Sequence, residues 1–207
     1  MSDITNAREA ILNRIRAANA TTSHSEYQAI EREYQQTASL DRETILKIFI
    51  DHLYEYDARI SEAKADTLAT AIADVMKSGN QKFAIVANDF PEQNLPPGFS
   101  WQRELESTTD QLNIAEGAIS GCEVAIAHTG TIILKGARKL TLLPDRFLCV
   151  VYENQIVETV PEAIAALEQY KTEPLTFVSG PSATADIEMT RIRGVHGPRF
   201  LDVILVR

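Results

Sequence analysis

The chain has 207 residues, 44% of them hydrophobic and 24% charged, and 20 basic against 29 acidic side chains leave a formal charge of −9. That balance fits one soluble globular domain with an appendage. The acidic excess, with no basic run longer than Arg138-Lys139, argues against nucleic-acid binding, which needs clustered Lys and Arg to neutralise phosphates. No apolar stretch approaches the roughly 20 residues needed to span a bilayer, and residues 1–19 lack the apolar centre of a signal peptide. The expected location is the cytoplasm. Two cysteines, Cys122 and Cys149, sit in apolar runs outside any CxxC pattern. They read as small buried thiols, because a zinc site or iron–sulfur cluster needs about four ligands.

Ile4, Ala7, Ile11 and Ile15 share one face of a predicted helix over 4–19. Residues 20–38 are polar and weakly patterned, an extended arm that Tyr27 and Tyr34 can anchor. Asp41 caps a helix over 42–56 with Leu46, Phe49, Ile50 and Leu53 inward, and His52 beside that face reads as packing. Then comes a Rossmann-like alternation. A short strand over 59–62 leads to a helix over 66–77 that stops at Gly79, and KFAIVA at 82–87 is a buried strand. Residues 88–98 form a surface loop, and 101–111 are irregular or a short helix. Short strands follow at 117–119, 124–127 and 131–134, with a buried strand at 147–152. A helix over 161–170 opens on Pro161, and strands at 175–178 and 201–206 close the series. The fold class is α/β: a mostly parallel sheet covered on both faces. The expected organisation is an N-terminal helical arm, 1–57, and an α/β domain, 58–207.

Two stretches are dense in site-forming residues. At 175–198 a buried strand ends in Ser179-Gly180-Pro181 and is followed by Ser182, Thr184, Asp186, Glu188, Arg191 and the Gly194-Val195-His196-Gly197-Pro198 turn. This reads as the carboxyl edge of the sheet, where α/β proteins place their sites. His196, between two glycines, is the best acid–base candidate, since imidazole titrates near neutrality; tying two loops together is the competing reading. Asp186 and Glu188 share a face if extended; alternatively Ser182 or Thr184 caps a helix that they begin. Arg191 and Arg193 suit a carboxylate clamp or a salt bridge to those acids. The second stretch is Ala127-His128-Thr129-Gly130-Thr131. Thr129, Gly130 and Thr131 form either an anion-binding nest or a plain tight turn, and His128 is placed to complement His196. Arg138-Lys139 is a further anion-binding option. No GxGxxG or Walker loop supports a nucleotide cofactor.

The run Gly121 to Thr131, then Leu142-Leu143-Pro144 and Val150, then Ser179 to Glu188 and Gly194 to Pro198, resembles the LUD-domain, or lactate-utilisation, family. Three separated motifs in the right order carry the resemblance over about 58–207, with 1–57 a loosely matching leader. It implies a fold like the ribose-phosphate isomerase and CoA-transferase superfamily. It also implies a partnership with two iron–sulfur proteins in oxidising L-lactate to pyruvate. This chain would be the cluster-free member, with no cofactor bound by it alone. Many relatives carry an acidic residue where His128 stands. The implied function is that of an accessory subunit, with a small anionic ligand or a partner at the 129–131, 180–188 and 194–198 loops. Two alternatives stand beside it. One is a stand-alone enzyme of the CoA-transferase or phosphosugar-isomerase type, whose nucleophile would be Glu123 or Glu188. The other is a non-catalytic assembly protein that docks through its leading helices.

Overall fold

The computed structural model describes residues 2–20, 28–136, 139–185, 191–194 and 196–207, the backbone alone at 2–6, 184–185 and 191–193. Two compact units are distinguished, Met1–Tyr34 and Gln35–Arg207. The first contains helix α1 (Ser2–Asn19). The second contains everything that follows, including α2 (Arg42–Glu55), whose Asp41 cap accepts from the Thr44 N–H as its sequence predicts.

The body is organised by a six-stranded sheet in the order β1 (Arg59–Ala63), β12 (Phe200–Val206), β7 (Arg146–Tyr152), β4 (Ala118–Gly121), β2 (Phe83–Val86), β3 (Ser100–Arg103), and every pairing in it is parallel. Its central strands are apolar runs because both faces are covered, and Ala84–Val86, Phe147–Val151 and Leu201–Val206 are buried throughout. The one acid among them, Asp202, sits at the amino end of β12, paired with Arg59 at 2.7 Å and Arg146 at 3.3 Å. Burial pushes its carboxyl up while Arg59 holds it back, a structural ion pair on the edge opposite the strands' carboxyl ends. Helix α3 (Leu68–Ser78) packs on β1 and β12, burying Leu68, Ile72 and Met76. Helix α2 buries Ile45, Leu46, Phe49 and Leu53 against the same core.

A second sheet of four strands runs β8 (Ile156–Val157), β5 (Val124–Ile126), β6 (Thr131–Lys135), β9 (Leu175–Val178). Its side chains alternate. Val124, Ile126 and Ile133 face α5 (Val160–Ala166), whereas Ala125, Ile132 and Leu134 join the main core. The two-residue strand β8 has no sequence signal of its own. Among the described residues, no helix is long and apolar enough to cross a membrane.

Three expectations change. Residues 100–103 are a strand, not irregular: β3 is an edge strand whose half-buried Trp101 stacks on Phe99 and donates to the Pro96 carbonyl, and α4 (Thr109–Ile114) follows it. The strand at 175–178 is not a buried member of the parallel sheet. It is the exposed edge of the second sheet, antiparallel to β6, with Phe177 55% exposed. The chain after Ser182 does not start a helix. β10 (Ala183–Ala185) pairs antiparallel with β11 (Arg191–Arg193), so Thr184 lies opposite Ile192 and cannot cap.

Candidate functional site

The Thr-Gly-Thr stretch is the turn of the β5–β6 hairpin, and its polar groups are largely committed. The N–H groups of Ala127, His128 and Gly130 donate to Val157, Glu158 and Ala127 carbonyls. Thr131 bonds through its hydroxyl to Thr129 at 2.7 Å and to Ser179 at 2.8 Å, so this turn and the one after β9 meet. The carboxyl end of α2 clamps both. His52 bonds through Nδ1 to the Ala127 carbonyl at 2.9 Å, and a Cβ on Gly130 would lie 2.8 Å from His52 Cβ. A Cβ on Gly180, at φ +89°, would lie 2.6 Å from Tyr56 Cβ. Only glycine satisfies both the positive φ and the close approach.

The loops after β9 enclose a hollow of about 260 Å³ bordered by Ser179, Gly180, Pro181, Ser182, His196 and Phe177. Ser182 ties the loops together: its N–H donates to the Pro198 carbonyl, its own carbonyl accepts from the Gly194 N–H, and its hydroxyl accepts from the His196 N–H at 3.3 Å. Gly197 lets the Thr141 carbonyl and the Ser182 side chain come close. His196 is exposed, and the bond that joins it to the other loop runs through its backbone. Thr184 and Arg191 are placed by their backbone in β10 and β11. Asp186, Glu188 and Arg138 lie outside the described residues.

His128 has a different neighbourhood. Its Nε2 is 3.5 Å from Glu158, a side chain only 1% exposed. Burial would push the Glu158 carboxyl up. The Leu40 and Ser39 N–H groups, with the Gln35 amide and Ser39 hydroxyl, override that and hold it down at about 2. Glu158 thereby secures residues 35–40 to the body. Sequence reasoning missed this residue, which follows β8 without any motif. The structure therefore gathers Thr129, Gly130, Thr131, Ser179 and Gly180 into one cluster and Ser182, Gly194, His196 and Gly197 into another, while His128 turns to Glu158.

A second cavity, of about 200 Å³, opens where α/β sheets place ligands. From β2 the chain passes to β3 on one side and then to β4 on the other, so the strand order switches between β2 and β4. The cavity sits at the carboxyl ends there, lined by Ala87 after β2, Ser120 to Glu123 at the end of β4, and Tyr152 at the end of β7. Gly121 faces it with no atom within 4 Å of where a Cβ would be. Gln155 braces the floor, donating to the Cys122 carbonyl and accepting from the Tyr152 N–H at 2.8 Å. A hydrogen bond with Cys149 and burial push the Cys122 thiol well above the ordinary thiol range, so it is a protonated, poorly nucleophilic lining group. Glu123 pairs with Lys135 at 3.6 Å, and Lys135 lies 4.5 Å over the Tyr170 ring. The Glu123 charge raises Lys135 above its ordinary value and does the same to Tyr170. Of these groups, sequence reasoning singled out Gly121, Glu123 and the two cysteines; Gln155, Lys135 and Tyr170 were not among them.

Comparison with known proteins follows the same outline. The LUD domain model matches residues 1–206, so the match takes in the leading helices as well as the α/β body. A Lactate utilization protein C from Deinococcus radiodurans is 39% identical over 214 residues, covering 100% of both chains. A Lactate utilization protein C from Bacillus velezensis is 25% identical, covering 96% of this chain and 95% of its own. A crystal structure of a DUF162 family protein from Deinococcus radiodurans superposes with a TM-score of 0.71 at 38% identity, over 82% of this chain and 100% of that one. The chain belongs to the LUD domain family.

Proposed function

We propose that the chain is an accessory subunit in the oxidation of L-lactate to pyruvate, working in the cytoplasm with two iron–sulfur proteins. The oxidation releases two electrons and two protons, and the partners' clusters take the electrons. The observation that carries the reading is the end-to-end likeness to proteins named for lactate utilisation. The chain's own cysteines support the division of labour: both are buried, and two sulfurs fall short of the about four that a cluster takes. The test is growth of a deletion strain on L-lactate as sole carbon source beside a glucose control. Loss of growth on lactate alone, restored by the intact chain, is expected. Undiminished growth on lactate, with no duplicate gene present, overturns the reading.

The placement of Glu123 at the carboxyl-edge cavity favours one second reading, a stand-alone acyl-transfer enzyme with a carboxylate nucleophile. Reduction of Glu123 to its side-chain alcohol by borohydride in the presence of acyl-CoA, with the CoA thiol leaving, found by mass spectrometry, would carry it; an unmodified chain overturns it.

A further inference from the structure

We infer that the cavity between the ends of β2 and β4 is a binding site for a short 2-hydroxycarboxylate, with Lys135 holding the carboxylate and Asp89 and Asn94 receiving the hydroxyl. The inference rests on the lactate reading for the choice of acid and on geometry for the site.

Four observations converge. The cavity lies at the switch point, where strand ends diverge and leave a crevice that no crossing connection fills. Gly121 leaves it open: its φ is not in the left-handed region and no atom crowds its missing Cβ, so neither backbone nor packing requires glycine there. A side chain at this position would project into the free volume. The lining is bipolar. One wall carries Lys135, whose ammonium is steadied by Glu123 and the Tyr170 ring and still has donors to spare. The other wall, the loop after β2, carries Asp89 and Asn94, whose side chains make no hydrogen bond or ion pair among the described residues. Phe90 and Leu134 between them give an alkyl group an apolar surface. At about 200 Å³ the space suits a small metabolite and not a dinucleotide.

The arrangement also predicts a preference. A hydroxyl donates to the Asp89 carboxylate, whereas a keto oxygen meets it lone pair to lone pair. The hydroxy acid should therefore bind tighter than the keto acid of the same length by about tenfold, the worth of one hydrogen bond to a charged group.

The experiment is a titration of the purified full chain with L-lactate and with pyruvate, followed by calorimetry and by ligand-observed NMR. Saturable binding of L-lactate, weaker for pyruvate, is expected. Gly121→Val should abolish it by filling the space, Lys135→Met should weaken both acids by about tenfold or more, and Asp89→Asn should narrow the gap between them. Thermal melts establish that each variant is folded; should Gly121→Val not fold, Lys135→Met and Asp89→Asn decide. A wild-type chain that binds neither acid, or binding that survives both Gly121→Val and Lys135→Met, overturns the assignment. The growth experiment separates the two readings: a strain that needs the chain on lactate while the purified chain binds neither acid keeps the lactate role and removes the cavity from it.

Discussion

The two hollows of the body are made of different material. The one beneath Ser179–Ser182 and His196 is bounded by loops together with β9 and the amino ends of β7 and β12, and hydrogen bonds and glycine contacts tie those loops to one another and to α2. The one beside Gly121 is bounded by the ends of core strands and the loop after β2, and a Cβ on its glycine would meet nothing within 4 Å. Residues of the same types thus serve closure in one place and openness in the other. Density of Gly, Ser, Thr and His marks where a chain must turn tightly as readily as where it binds. A site is marked instead by polar groups left without partners at a place the topology holds open.

Mutation can break or sharpen that contrast. The largest effect is expected from Gly180→Val, which combines a positive φ with a clash on Tyr56 and should cost about 3 kcal/mol, read as a lowered urea midpoint. An effect confined to one segment should follow from Glu158→Gln. The amide hydrogens of Ser39 and Leu40 should exchange about tenfold faster, while those of β7 and β12 stay as they were. The same carboxylate predicts an acid dependence. Its folded value of about 2 lies below the ordinary 4.5, so its contribution is complete above about pH 4.5 and is lost as the pH falls from there towards 2. The Ser39 and Leu40 amide shifts, followed by NMR, should titrate near the lower value. Ser179→Ala, which removes one link of the threonine–serine chain, should cost about 1 kcal/mol. Gly121→Val should change stability by no more than about 0.5 kcal/mol, since nothing crowds it. A large loss there would erase the contrast between the two glycines.

Much of the body was legible from the sequence. Runs such as Lys82–Ala87 and Phe147–Tyr152 announce buried parallel strands, and Asp41 and Pro161 mark helix starts that the structure keeps. The order of strands was not, because nothing local in Val86 or Ile119 says that they pair. Without that order, residues 175–178 pass for a strand of the parallel sheet and draw attention to the loops behind them. The cavity beside Gly121 needs the order before it exists at all. Lys135 ends β6 while Asp89 and Asn94 belong to the loop after β2, and no spacing rule joins those two stretches. Glu158 is equally silent, since its partners lie more than a hundred residues earlier in the chain.

The pairing of β1 with β12 bears on how the protein is made. β1 lies along one edge of the sheet with β12 as its sheet neighbour, and roughly 140 residues separate them. At the ribosome's pace of about 5–20 residues per second, β1 waits on the order of ten seconds or more for that neighbour to emerge. Through that interval the ladder groups of β1 have no partner strand. A ribosome stalled before residue 200 leaves β1 without its sheet neighbour, an unpaired edge of the kind that invites aggregation.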